Sequence, residues 1–543
     1  MNLDIRKIFT HMTVKNTQFS DFPMFSKMDK AYIYNDAALK PFFKYDVNID
    51  AFEKIISDKK LDKTDRKTLV EVLESQYAHF QHFDAVSTNI SSLKNENTYT
   101  VTTAHQPSVF TGPLYFIYKI FSTIRLAENL SAHYLKFNFV PVFVIGGEDH
   151  DFEEVSLIQL FGKKMTWQIP ENQRGSVGAM QTDSLKEMLE AVKAVMGSSE
   201  NAKGLFSIFE KNYTENKIYH TATQSLLNDL FGKYGLVVMQ MNEPQFKHLF
   251  KDVMKREVIE QPSKKFVTEA QEKLESVGFK AQAFAREINL FYMRENFRER
   301  IVESNGSYAA LNTNYVWHTQ SELITEIDTH PENFSPNVVL RPLYQERILP
   351  NLAYIGGGGE IAYWLERKKQ FEYFGINFPM LIRRNSVMIV ENSVKDKLAK
   401  LNFPLMKLTQ PTESLVKQFI NDNASETLNL ESAKEALADI FDDILNKAIS
   451  IDATLEKTVL AEKTRQLQSL ESIETRIIKA EKQKHETSLN QLKALQQKLF
   501  PNGGLQERTD NFIPYYIKFG NELFDVLYKN LDPLKQGVVV LEE

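Results

Sequence analysis

Three short tracts bring together side chains that can do chemistry. The first is Thr102-Thr103-Ala104-His105-Gln106-Pro107, which runs on to Gly112-Pro113 and is followed by Tyr115 and Lys119. Hydroxyls, an imidazole and the free amides of a helix start suit an anion such as phosphate. Lys119, farther along that helix, can offset negative charge that develops there. The plainer alternative is that His105 closes a turn and Lys119 is a solvated helix residue. For an isolated His-Gln-Pro tract the plainer alternative has the better claim.

The second tract is Gly146-Gly147-Glu148-Asp149-His150-Asp151, with Glu153 and Glu154 close behind. Carboxylate oxygens at this density can bind Mg2+, which prefers oxygen ligands. They can instead hold a substrate amine, or supply a general base from Asp149 or His150. Acids also decorate helix starts because they suit the dipole. That explains Glu153 and Glu154 better than it explains Asp149, His150 and Asp151.

The third tract is the glycine run Gly356-Gly357-Gly358-Gly359, followed by Glu360, Tyr363 and Trp364. Consecutive glycines let the backbone approach a ligand and form a cradle of amides. No Lys-Ser/Thr follows, so this is not a P-loop. Upstream, Asn337 leads to Arg341, a residue type that clamps carboxylate or phosphate in bidentate fashion. A structural ion pair is the ordinary alternative. Arg383-Arg384-Asn385-Ser386 reads as a solvated basic turn.

All three tracts follow apolar runs that read as strands. A strand over 99–104, a helix over 114–130 and a strand over 139–145 make a βαβ unit. The second strand is apolar at nearly every position, which predicts burial on both faces of a parallel sheet. A strand–helix pair follows over 235–241 and 245–259. The core resumes over 337–341, 354–364 and 379–390. Ligands in such sheets bind outside the carboxyl ends of the strands, which is where the tracts fall.

The expected organisation is a mostly helical part over 1–98, with a loop over 87–97. A Rossmann-like α/β core over 99–390 carries insertions at about 155–230 and 262–335, the second with a small antiparallel element. A helical domain spans 391–510, and short helices over 511–543 dock back on the core. Residues 412–500 hold neither Gly nor Pro, so they are helical, with a break near Ile451 where Asp452 caps. Leu470, Ile473, Ile477 and Ala480 form part of an imperfect coiled-coil seam.

The chain of 543 residues holds about three or four domains' worth of material. It has 38 Phe and 21 Tyr, enough for large cores, and a net charge of −6, which argues against nucleic-acid binding. With no cysteine it can form neither disulfides nor thiolate metal sites. No signal peptide or membrane segment stands out, so a cytoplasmic protein is expected.

The sequence resembles the bacillithiol biosynthesis cysteine-adding enzyme family over nearly its whole length. The blocks that carry this are TAHQPSVFTGPLYFIYKIFSTIRLAENL (103–130), VPVFVIGGEDHDFEEV (140–155), SPNVVLRPLYQERILPNLAYIGGGGEIAYW (335–364) and LFPNGGLQER (499–508). The resemblance implies a Rossmann-like core related to class I nucleotidylyltransferases, two inserted connecting segments, and a coiled-coil domain supporting a homodimer. It implies amide-bond formation between the cysteine carboxyl and the amine of glucosaminyl-malate, with ATP and Mg2+ as the activating pair.

The resemblance marks a site in those blocks, and the chemistry of its residues makes Lys119, Asp149, His150 and Arg341 the expected catalytic groups. As binding residues it marks Thr103, His105, Gln106, Gly112, Tyr115, Gly147, Glu148, Asn337, Gly356, Gly357, Gly359, Glu360, Tyr363 and Trp364. Val109 or Phe110 stands where family members often carry glycine, which bears on the path of the first loop. Two other readings compete: another class I-like nucleotidylyltransferase or carboxylate–amine ligase, and a non-catalytic coiled-coil assembly protein.

Overall fold

The computed structural model describes residues 12–170, 173–424 and 429–543. The chain forms two compact units, Met1–Met388 with Gln506–Glu542, and Ile389–Leu505 with Glu543.

The first unit is built on a five-stranded parallel sheet. Its spatial order is Met380–Arg383, Asn351–Gly356, Thr98–His105, Asn138–Ile145 and Val237–Gln240. Numbered by chain order, this reads five, four, one, two, three. The chain therefore builds outward on one side of Thr98–His105, then returns to build on the other. The switch point lies between Thr98–His105 and Asn351–Gly356, the place where open α/β sheets bind ligands. The strands are buried along almost their whole lengths, as both faces carry helices. Tyr115–His133 follows the first strand, and Tyr219–Phe231 packs on and leads into Val237–Gln240. That crossover helix lies inside the stretch read from sequence as the first insertion.

The second insertion contains a five-stranded antiparallel sheet. Its order is Val316–Trp317, Ser307–Ala310, Phe297–Ser304, Leu290–Arg294 and Phe334–Pro336. A short hairpin, Leu157–Leu160 with Lys163–Thr166, opens the first insertion.

Local expectations fail in two places. The 87–97 tract is not all loop, because Asp84–Ser92 is helical and buries Val86 and Ile90 at helical spacing. Ser87 and Thr88 between them are exposed, while Asn89 turns in and donates to the Gly235 carbonyl at 2.7 Å. The C-terminal part is not only helical. After Ile513–Phe519 and Asn521–Asn530 it ends in a strand, Val538–Glu542, which pairs antiparallel with Thr13–Thr17. The Val538-Val539-Val540-Leu541 run suits a strand, but its partner lies at the other end of the sequence.

The second unit is helical: Asn392–Lys400, Thr412–Asn423, Glu431–Ile451, Glu456–Lys484 and Glu486–Leu499. The chain does break after Ile451, where the Asp452 carboxylate accepts from the Thr454 amide at 2.8 Å. Glu431–Ile451 and Glu456–Lys484 fold back as a hairpin. Lys434 meets Glu474 at 2.6 Å and Lys463 meets Asp442 at 2.6 Å. Among the described residues, no helix is long and apolar enough to cross a membrane.

Candidate active site

A cavity of about 450 Å3 opens at the carboxyl ends of the parallel strands. The chain reaches it in several passes, because each strand ends there and hands its next residues to the rim. The first strand contributes His105 and Gln106, the second Gly147, Glu148 and Asp149, and the fourth Gly357, Gly358, Gly359 and Glu360. The inserted sheet contributes Arg298, and the turn after it Asn337 and Arg341. Tyr115, Tyr363, Arg384 and Arg508 complete the charged and aromatic wall.

The first tract does not present a phosphate cradle. Thr103 is buried and donates its hydroxyl to the Ile355 carbonyl at 2.8 Å, and Thr102 donates to Asn351 at 2.9 Å. Both hydroxyls are used up stitching strands together. His105 lines the cavity, but its two ring nitrogens are engaged. Nδ1–H donates to the Gln106 carbonyl at 2.9 Å, so Nε2 must accept from the Tyr115 hydroxyl at 2.9 Å. Burial, with the Lys119 charge, pushes the imidazole down to about 4, so it is neutral at physiological pH. Gly112 lies outside the cavity. Its φ of +61° and its close approach to Ser108 require glycine there, a structural role.

Lys119 is fully buried behind the wall. Its ammonium donates to the Ala104 carbonyl and to both oxygens of Glu360, at 2.9 and 2.8 Å. It touches no open space, so it positions Glu360 rather than meeting a substrate. Burial pushes the Glu360 carboxyl up, but the Lys119 charge, the Gly357 amide and the Tyr354 hydroxyl outweigh it, leaving Glu360 at about 2.

The acidic tract divides between the scaffold and the cavity wall. Glu148 pairs with the buried Lys247 and accepts from Ser335 at 2.8 Å. Asp151 caps the short helix after it by accepting from the Glu154 amide at 3.3 Å. Among the described residues, no group of three or more His, Asp and Glu could hold a metal ion. Asp149 and Glu154 do stay together on the cavity wall, both accepting from the Gln106 side-chain amide, at 2.7 and 3.1 Å.

Asp149 faces the cavity. It accepts from Gln106 at 2.7 Å and from the amides of His150 and Asp151 at 2.7 and 3.3 Å. Burial pushes its carboxyl up, but the Arg298 guanidinium and these donors hold it below the usual range. His150 does not line the cavity. Its Nδ1 accepts from Arg298 at 3.0 Å, so the lone pair a base would use is already occupied.

The glycine tract forms the opposite wall. Gly356 ends its strand outside the cavity, and its carbonyl accepts from the Arg384 amide at 2.9 Å. The Gly357 amide donates to Glu360 at 2.8 Å. Gly358, part of the glycine run but not among the marked binding residues, packs so close to Asp29 that a Cβ would overlap the carboxylate. Trp364 is fully buried and stacks on Tyr354 with ring centres 4.6 Å apart. It is a core residue and not part of the site.

Arg341 starts the helix Arg341–Ile348 and lines the cavity. It donates to Gln345 at 3.3 Å and to the Tyr363 hydroxyl at 3.3 Å. Among the described residues no carboxylate pairs with it. Asn337 holds the turn before it, accepting from the Val339 amide at 2.8 Å and donating to Asn289 at 3.0 Å.

Arg384 corrects another expectation. Arg383 and Arg384 are buried, not solvated. Arg383 pairs with Asp29 at 3.0 Å and Arg384 with Glu507 at 2.8 Å. The strand-end rule that singled out the other loops applies to 383–386 as well. Arg298 gave no such signal, because it lies in an alternating strand of an insertion. Arg508 closes the LFPNGGLQER block, but nothing in its spacing points to a cavity.

The family model described as "Bacillithiol biosynthesis BshC, N-terminal Rossmann-like domain" matches residues 12–385. The model "Bacillithiol biosynthesis BshC, C-terminal coiled-coil domain" matches residues 387–543. A protein of Christiangramia forsetii named "Putative cysteine ligase BshC" is 40% identical over 514 residues, covering 94% of this chain and 95% of that one. A protein of the same name from Flavobacterium johnsoniae is 39% identical over 519 residues, covering 95% and 97%. Another from Cytophaga hutchinsonii is 33% identical over 521 residues, covering 96% and 97%. The chain belongs to the bacillithiol biosynthesis BshC family.

Proposed function

We propose that the chain is a cysteine ligase that joins the cysteine carboxyl to the amine of glucosaminyl-malate in the cavity at the switch point. The observation that carries this is Arg341. A guanidinium facing a cavity with no carboxylate partner suits an acidic substrate, and the malyl carboxylates supply that chemistry. The relatives' printed name supports the reaction class.

A carboxylate does not acylate an amine at neutral pH without activation. ATP is the economical activator: it converts the cysteine carboxyl to a mixed anhydride, and attack by the sugar amine forms the amide and releases the phosphate leaving group. The cavity's arginines are groups that fit such anions. Mg2+ would arrive bound to the phosphates.

Asp149 is ionised and already accepts three hydrogen bonds, so it is better suited to hold the ammonium of the acceptor than to take its proton. Within the second unit, Ile473 and Ile477 are 46% and 37% exposed on the helical hairpin, which supports pairing with a second copy.

The test is mass spectrometry of purified protein mixed with glucosaminyl-malate and cysteine, with and without ATP–Mg2+. Amide product formed only with ATP supports the reading, and the nucleotide product separates adenylate from acyl-phosphate. Folded protein that makes no amide under either condition overturns it.

A further inference from the structure

Arg508 reaches the cavity from the segment that returns to the first unit after the helical excursion. Its neighbours in sequence are anchored on both sides. Glu507 is 1% exposed and accepts from Arg384 at 2.8 Å, from the Ser386 hydroxyl at 3.0 Å and from the Val387 amide at 3.1 Å. Asn511 is equally buried and donates to the carbonyls of Phe110 and Gly112 at 2.9 and 2.6 Å. The Asp510 carbonyl accepts from the Leu114 amide at 2.7 Å. One end of the segment thus holds the Arg384 wall, and the other holds the turn that launches Tyr115.

That turn is held in an unfavourable conformation. Phe110 and Thr111 have φ values of 49° and 67°, and neither is glycine. Such residues cost about 1–3 kcal/mol each and persist only where surroundings over-determine them. Here Asn511 clamps the carbonyls, and the Phe110 amide donates to Tyr213 at 2.9 Å. Between these anchors Arg508 is exposed, with no carboxylate partner among the described residues. It lines the same cavity as Tyr115, whose hydroxyl feels its charge, and as Arg384, whose guanidinium lies 5.2 Å from the Tyr115 ring. The Nε of Arg384 is buried and has no acceptor. An unanswered donor and an unpaired guanidinium on the wall of one cavity mark a place where the protein leaves acceptors to a ligand.

We propose that Arg508 is a second anion-gripping residue of the cavity, taking with Arg384 the phosphate chain of the activating nucleotide, while Arg341 takes the carboxylates of the acceptor. This rests on the ligase reading above. The Arg508 guanidinium can bind phosphate oxygens in bidentate fashion, while Arg384, whose terminal nitrogens donate to the Asn385 carbonyl and to Glu507, adds its charge and its free Nε, and two such groups on one wall suit a polyanion better than a single carboxylate.

Calorimetric titration of the full chain with inorganic pyrophosphate and, separately, with malate tests the division. Arg508→Gln is expected to weaken pyrophosphate binding tenfold or more and to leave malate binding unchanged, and Arg341→Gln to do the reverse. In the ligase assay Arg508→Gln raises the KM for ATP to a similar degree, and Arg508→Lys recovers part of the loss. The melting temperature of Arg508→Gln stays at the wild-type value, because among the described residues the side chain has no hydrogen-bond or ion-pair partner. Equal pyrophosphate affinity in wild type and Arg508→Gln overturns the assignment, even in an active ligase. Loss of malate binding instead of pyrophosphate binding also overturns it. A wild-type chain that binds malate but neither pyrophosphate nor ATP removes the nucleotide reading itself.

Discussion

The Lys119 ammonium meets both carboxylate oxygens of Glu360, at 2.9 and 2.8 Å, although the residues lie 241 positions apart. The pair ties the helix after the first strand to the helix after the glycine tract, across the point where the sheet changes direction. Removing Glu360 leaves a fully buried ammonium, which typically costs about 3–5 kcal/mol, and removing Lys119 leaves a carboxylate that the cavity partly solvates, a smaller loss. Lys119→Met should lower the urea midpoint accordingly. The pH dependence follows from Glu360, whose carboxyl lies at about 2 folded against 4.5 as the ordinary value. Its stabilisation is complete above pH 4.5 and fades as pH falls toward 2, for a total of about 3 kcal/mol. Urea midpoints at pH 7 and pH 3 should therefore differ less in Glu360→Gln than in wild type. Parallel acid losses in the two proteins would show that Glu360 is not held ionised by this pair.

The glycine tract makes a prediction that separates neighbouring positions. A Cβ on Gly358 would overlap the Asp29 carboxylate, itself held by Arg383 at 3.0 Å. Gly358→Ala should lose about 1–3 kcal/mol by overpacking and disturb the first helix, Lys27–Ile33. Gly359 has nothing within 4 Å of an added Cβ. Gly359→Ala should leave stability unchanged or raise it by up to about 1 kcal/mol through helix propensity. Thermal melts of the two variants decide it, and equal losses would argue against the packing at Asp29.

The sheet and the cavity were legible because buried parallel strands leave long apolar runs and their carboxyl ends leave polar ones. Residues 139–145 and the tracts after Ala104, Ile145 and Ile355 carry that pattern openly. Which way a side chain turns at a strand end leaves no such trace. Thr103, Lys119, His150 and Trp364 have the residue types of a site, yet each is bound to the scaffold: to a strand carbonyl, to Glu360, to Arg298 and to Tyr354. Their partners sit tens or hundreds of residues away, except for Tyr354, so local spacing cannot separate support from contact. Arg298 and Arg508 are the converse. Both line the cavity, but one comes from an inserted strand and the other from after the helical excursion. The strand pairing of Val538–Glu542 with Thr13–Thr17 was hidden for the same reason.

His105 should be silent in the physiological range. Burial and the Lys119 charge hold its folded value at about 4 against 6.5. The unfolded chain therefore takes up this proton first. The associated stability is complete above pH 6.5 and is lost as pH falls toward 4. Its Nδ1–H tautomer is fixed by donation to the Gln106 carbonyl, with Nε2 accepting from Tyr115. Nitrogen NMR of histidine-labelled protein should show that tautomer unchanged between pH 7.5 and 5.5. A titration midpoint near 6.5 for this ring would mean that the Tyr115 contact does not exclude the proton, and would restore His105 as a candidate acid or base.

Arg341 separates a substrate clamp from a structural arginine. Its guanidinium spends donors on Gln345 and on the Tyr363 hydroxyl, both at 3.3 Å, and leaves the rest of the fork toward the cavity. Arg341→Lys keeps the charge but loses the bidentate geometry. Hydrogen bonds to charged groups are worth about 1.5–3 kcal/mol, so the KM for the acidic acceptor should rise about 10–100-fold. Tyr363→Phe removes one support of the guanidinium and should raise the same KM by a smaller factor. Because among the described residues no carboxylate pairs with Arg341, its removal breaks no ion pair there, and Arg341→Lys should melt within about a degree of wild type. Steady-state kinetics and a melting curve on the same preparation read both quantities. An unchanged KM with a lowered melting temperature would make Arg341 a structural residue and move the acceptor's carboxylates to another part of the wall.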